Sequence, residues 1–151
     1  MKRILALFFH FALAIALFFL VSCTQSNNNE TLDYDAFVQL LTENGFQYTE
    51  ESPDVAFSFL TVACRPIRIG DGIISVYEYE SNEKMEADAA CIDKSGFSVK
   101  FPDRGTNISW VSDPYFYKRG MIIVNYVGVN EDILAFLGEN FGEAFAGHTA
   151  K

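Results

Sequence analysis

Three cysteines are the most nucleophilic side chains of this sequence, and their settings differ. Cys23 closes a long apolar run, whereas Cys64 and Cys91 lie in the mixed polar and apolar sequence that follows. Outside the cytoplasm two such thiols can join, and an unstrained bridge across about 27 residues would stabilise by roughly 3 kcal/mol. The other reading is two small buried apolar side chains that never meet. Histidine is nearly missing: His10 lies in the apolar run and His148 near the end. The sequence between them has no imidazole for a Ser–His or Cys–His pair or a histidine-based zinc site. It has no phosphate loop, dinucleotide fingerprint or EF-hand. Carboxylates are plentiful. Glu50, Glu51 and Asp54 share one turn, and Glu78, Glu80, Glu83 and Glu86 gather around one helix start. Paired carboxylates can do general acid–base work or hold calcium; a solvated acidic face is the commoner outcome.

The setting of Cys23 is the most specific. Lys2 and Arg3 precede an apolar run from Ile4 to Val21, and Leu20-Val21-Ser22-Cys23 ends it. This pattern resembles the bacterial lipobox. The resemblance implies that residues 1–22 are a lipoprotein signal peptide. The Cys23 thiol then takes a diacylglycerol as a thioether and becomes the first residue of the mature chain. Each buried methylene contributes about 0.8 kcal/mol, so two or three acyl chains anchor stably. An uncleaved transmembrane helix and a secretory signal cut elsewhere are alternatives that leave Cys23 unexplained. All three readings put the remainder outside the cytoplasm, and the first locates it at the extracytoplasmic face of the cell membrane.

Residues 23–32 are polar enough to read as a flexible tether, which leaves 33–147 as one folded domain. A chain of that size can bury its own core. Without Lys2 and Arg3, 9 of the 11 basic residues remain against 20 acidic ones. That balance speaks against nucleic acid, whose phosphates require clustered Lys or Arg, and against a polybasic grip on lipid.

Asp33 can cap a helix that carries Tyr34, Phe37, Leu40 and Leu41 on one face and stops at Asn44-Gly45. Residues 46–50 alternate like a strand, and 55–62 fit a strand or a short helix. An internal repeat follows. Pro66 to Met85 and Pro114 to Ile133 each read as strand, glycine turn, β-branched strand and helix start, 48 residues apart, with Gly72 matched to Gly120 and Val76 to Val124. Asn or Ser at 81, 82 and 130 can cap the two helices, predicted over 83–92 and 131–141. Short strands are expected at 97–101 and 108–111. The fold class is therefore α+β: two ββα units in tandem, forming an antiparallel sheet of about five strands with two or three helices packed on one face.

Tyr77 and Tyr79 alternate with Ile74 and Val76, so they occupy the face away from the apolar one. Trp110, Tyr115 and Tyr117 sit in or before the strand that leads to the second turn. On an open sheet face these five aromatics would form a binding platform; under 55–62 they would be a second core layer.

The segments Tyr77-Glu-Tyr79, Ile108-Ser-Trp110, Pro114-Tyr-Phe-Tyr-Lys118, Ile122-Ile-Val124, Tyr126-Val-Gly128 and Phe141-Gly-Glu-Ala-Phe-Ala-Gly147, with Met85, Ala89, Ile92 and Gly120, resemble uncharacterised small lipoproteins of Gram-positive bacteria over residues 60–147. The resemblance implies a lipid-anchored domain and assigns no activity. The chain departs from that pattern at Tyr115, where the family carries histidine, and in Cys64 and Cys91. Together these readings point to a non-catalytic binding or accessory domain of the cell envelope, without cofactor, whose partners are the membrane through its lipid and an envelope protein or peptide. The alternative is a carboxylate-based metal-binding protein or hydrolase built on Glu50, Glu51, Asp54 or Glu78.

Overall fold

The computed structural model describes residues 32–53 and 58–148. The expected leader, Cys23, the tether up to Thr31, and Asp54 to Phe57 lie outside the described residues.

Local capping chemistry sets the three helices among the described residues. Helix α1 (Tyr34–Glu43) starts where Asp33 Oδ1 accepts from the Ala36 N–H at 2.9 Å, and it ends at Asn44. Helix α2 (Asn82–Ala89) starts where Ser81 Oγ accepts from the Lys84 N–H. Helix α3 (Glu131–Phe141) starts where Asn130 Oδ1 accepts from the N–H groups of Asp132 and Ile133. Such caps satisfy donors that a helix cannot satisfy itself.

The strands are β1 (Thr49–Glu50), β2 (Cys64–Ile69), β3 (Gly72–Glu78), β4 (Ser98–Lys100), β5 (Gly105–Asn107), β6 (Pro114–Arg119), β7 (Ile122–Val127) and β8 (Ala146–Gly147). Six of them form an antiparallel sheet in the order β1-β2-β3-β7-β6-β8, and β4 and β5 make a small separate ribbon. The fold is α+β with two ββα units, as expected.

The repeat has a different shift from the one read in the sequence. Ile69 pairs with Gly72 and Arg119 with Ile122, so the two-residue turns are Gly70-Asp71 and Gly120-Met121. Both leading glycines have positive φ, +56° and +61°, which two-residue hairpins require. Gly120 therefore matches Gly70, not Gly72, and Pro114 matches Cys64, not Pro66. A slip of two residues returns each side chain to its original face, so Ile74, Val76, Ile122 and Val124 still share one side.

Those four residues pack against Phe37 and Leu41 of α1 and Ile133, Phe136 and Leu137 of α3. Two helices thus share one face. The third, α2, closes part of the other face, where Met85 and Ala89 meet Tyr77, Phe116 and Ile123. The exits from β3 and β7 decide this. Tyr79 leads the chain onto the second face, where its hydroxyl donates to Asp88 Oδ2 at 2.9 Å. After β7, Gly128 leaves room for the Tyr126 hydroxyl, which a Cβ there would strike. That hydroxyl accepts from the Asn130 N–H at 3.1 Å and draws α3 onto the face of Tyr126.

Three local expectations change. Ile92 lies beyond α2 and bridges to Val99. Residues 108–111 form no strand, while β5 lies just before them. Leu32, placed in the tether by composition, is 5% exposed and its carbonyl accepts from the Met121 N–H at 2.8 Å. Among the described residues no helix is long and apolar enough to cross a membrane.

Candidate functional site

The described residues cover the second face of the sheet only in part, and what they leave is a groove of about 570 Å³. Its floor comes from alternate residues of three strands: Cys64 and Pro66 of β2, Ile73, Ser75 and Tyr77 of β3, and Asn125 and Val127 of β7. Period-two alternation puts these residues on one face. Phe59, Ile108, Trp110 and Val111 complete the lining, with Phe59 and Trp110 packed against each other. Glu51 and Asp71 stand at the rim. Ile73 and Val111 are among the large apolar side chains left exposed, Val111 completely.

The walls are held rigidly. Trp110 Nε1 donates to the Gly96 carbonyl at 2.8 Å. Its ring packs edge-on against Phe59 at 5.8 Å and Phe116 at 5.9 Å. Phe59 also meets Tyr77 at 5.3 Å. Such edge contacts each add about 0.5–1.5 kcal/mol beyond area burial. Burial pushes the Tyr77 phenol well above its ordinary value, and the neighbouring Cys64, hydrogen-bonded to it, adds to the shift. Asn125 is 3% exposed, and its Nδ2 donates to the Tyr115 carbonyl at 3.3 Å.

Of the five aromatics expected to form one platform, the structure brings together Tyr77 and Trp110. Tyr79 lies beneath α2. Tyr115 and Tyr117 lie on the opposite face, in the core shared by α1 and α3. All four tyrosines are at most 4% exposed, so no five-residue platform exists. The cause is register. The turn at Gly120-Met121 pairs Tyr117 with Val124 and Tyr115 with Tyr126, and residues directly opposite each other share a face. The second core layer includes Phe59, Leu60 and Val62.

Cys64 and Cys91 are not bridged in the structure. Cys91 Sγ donates to the Ala87 carbonyl at 3.4 Å, and burial, then the Asp88 carboxylate, hold its thiol above the ordinary value. The candidate carboxylates are dispersed. Glu50 accepts from the Tyr34 hydroxyl at 2.8 Å. Glu51 pairs with Arg68 at 2.6 Å. Glu78 accepts from the Tyr34 N–H and pairs with Arg65, both at 3.0 Å, and the Arg65 guanidinium lies 3.2 Å over the Tyr34 ring. Asp54 is outside the described residues. Among the described residues no three His, Cys, Asp or Glu side chains are grouped to hold a metal ion.

Sequence reasoning missed Asp88. This carboxylate is 5% exposed. Its Oδ2 accepts from the Thr61 N–H at 2.8 Å, the Thr61 hydroxyl at 2.7 Å and the Tyr79 hydroxyl at 2.9 Å. It pins the segment before β2 to α2 and so helps fix Phe59 at the groove. The signal was present: Asp88 falls among Met85, Ala89 and Ile92 at helical spacing, an acid on an apolar stripe. Ser75, Asn125 and Phe59 were also missed, and only the assembled sheet groups them.

Fold and site together define an α+β domain with a sheet clad by helices on both faces and an open aromatic groove on one of them. Comparison with family models, with characterised proteins and with solved structures finds no match.

Proposed function

We propose that this protein is a lipid-anchored, non-catalytic binding domain on the extracytoplasmic face of the cell membrane, and that the groove over β2, β3 and β7 holds its partner. The leader, the lipobox-like tetrapeptide and Cys23 support the location. The resemblance to small Gram-positive lipoproteins agrees with it. The observation that carries the binding role is the groove itself: a concave, largely apolar surface with rigid aromatic walls and a few convergent polar groups, the usual form of a ligand site. The Ser75 hydroxyl and Asn125 amide supply polar groups on its floor.

Trp110 is the sole tryptophan, so intrinsic fluorescence reports directly on the groove wall. The test is titration of the soluble domain with the neutral apolar dye Nile red, followed by energy transfer from Trp110. Saturable transfer that disappears in Ser75→Phe, a substitution that fills the floor, is the expected result. Unchanged transfer in a folded Ser75→Phe domain would mean that the groove is not a binding site.

A further inference from the structure

We infer that the groove takes a peptide segment whose apolar side chains are flanked by lysine or arginine; this rests on the groove being the binding site proposed above. Shape and apolarity set the first part. Ile73 and Val111 are exposed in a cleft that the half-buried Phe59, Pro66, Ile108 and Trp110 also line. An occupant with aliphatic or aromatic side chains would remove these groups from water, at about 25 cal/mol per Å² of apolar area.

Main-chain recognition sets the second part. Strands β3 and β7 are central, each paired on both sides, so the floor offers no open ladder for strand addition. A partner's amides must instead meet side chains, and Ser75 and Asn125 pair with each other at the middle of the floor. The half-buried Ser75 hydroxyl can both donate to and accept from a partner's main chain, while Asn125, 3% exposed and donating to the Tyr115 carbonyl, orders the floor beside it.

Charge sets the third. Among the described residues the groove is lined by two carboxylate residues, Glu51 and Asp71, and by no Lys or Arg. Arg68 already pairs with Glu51, so Asp71, exposed at the hairpin turn, is the charge left to a ligand. The excess of acidic over basic residues in the chain, 20 against 11, adds a long-range field of the same sign. A cationic flank would be drawn in and an anionic one repelled.

The experiment uses two blocked hexapeptides, one with leucine and phenylalanine between terminal lysines and one with glutamate in place of the lysines. Binding is read from Trp110 emission in low and high salt. The lysine peptide is expected to bind at least ten times more tightly than the glutamate peptide. Asp71→Asn should narrow that ratio several-fold, as should salt. Equal affinities, or a preference for glutamate, would overturn the charge assignment; loss of binding in Ser75→Phe would still keep the groove as the site. Failure of both peptides while Nile red still responds to Ser75→Phe would overturn the peptide assignment alone. Peptide binding and Nile red binding that both ignore Ser75→Phe would remove the groove reading as well.

Discussion

Ser75 and Asn125 face each other across the seam between β3 and β7, and each stands five residues beyond the leading glycine of its own hairpin turn, Gly70 or Gly120. A local two-fold axis passes between them. The flanking pairs obey it: Ile74 lies opposite Tyr126, and Val76 lies opposite Val124. The hairpins are symmetric but their covers are not. Helices α1 and α3 close one face. On the other, α2 and the segment before β2 cover only part, and the groove opens over the axis.

The glycines at the two turns are equivalent in backbone and unlike in surroundings. A Cβ on Gly70 would meet open space, whereas one on Gly120 would lie 2.5 Å from the Leu32 nitrogen and oxygen. Gly70→Ala should cost about 1–2 kcal/mol, the price of a left-handed L-residue. Gly120→Ala should cost at least twice as much and loosen Leu32. Urea unfolding of the two variants measures the difference; equal costs would mean that the Leu32 contact is not formed.

Asp88→Ala strands three donors, the Thr61 N–H and hydroxyl at the edge of the site and the buried Tyr79 hydroxyl. The expected loss is about 3 kcal/mol, since unsatisfied buried groups cost about 1–3 kcal/mol each and part of the site can rehydrate. Asp88→Asn keeps one acceptor and should lose less. Chemical denaturation gives both values, and near-native stability in the alanine variant would show that the segment before β2 is held by other contacts.

Stability should fall in alkali. Burial raises the phenols of Tyr77 and Tyr79, and Cys64 and Asp88 respectively raise them further. In the unfolded chain these groups ionise near pH 10, and in the fold they stay protonated. Stability is then fully present below about pH 10 and declines above it, because the unfolded state has lost protons that the native state retains. Each phenol adds a slope approaching about 1.4 kcal/mol per pH unit. Urea midpoints between pH 8 and 11.5 should show this bend, and Tyr79→Phe should make it shallower.

The unbridged cysteines should react in order. Cys91 is half-buried with a raised thiol, and Cys64 is 6% exposed beneath the groove. Iodoacetamide should label Cys91 first and slowly at pH 8, with Cys64 following on unfolding. Asp88→Asn removes the carboxylate that disfavours the thiolate and should speed labelling of Cys91. Mass spectrometry finding a Cys64–Cys91 bridge in protein purified without reductant would contradict this.

Lipidation of Cys23 is testable in the cell. Metabolic labelling with an alkynyl palmitate should mark the wild-type chain, and Cys23→Ser should abolish the label and release the protein from the membrane fraction. Equal label in both would end the reading of Cys23 as an anchor.

What the sequence determined by itself was local chemistry. Asp33, Ser81 and Asn130 are short polar side chains ahead of apolar periodicity, and all three cap helices. Residues 131–141 form a helix because periodicity, cap and following glycine agree there. The two hairpins were legible from glycine and β-branched residues, although aligning Gly72 with Gly120 missed the turn register by two. The tertiary structure decided which face each helix covers, and with it whether an aromatic is core or groove. Tyr77 and Tyr117 look alike in sequence; one lies under Phe59 and the other under α3. That difference arises from strand pairing and from the exits at Tyr79 and Gly128, contacts between residues far apart in the chain. Side-chain pattern fixes only alternation, while the sign of each face is set when the sheet assembles.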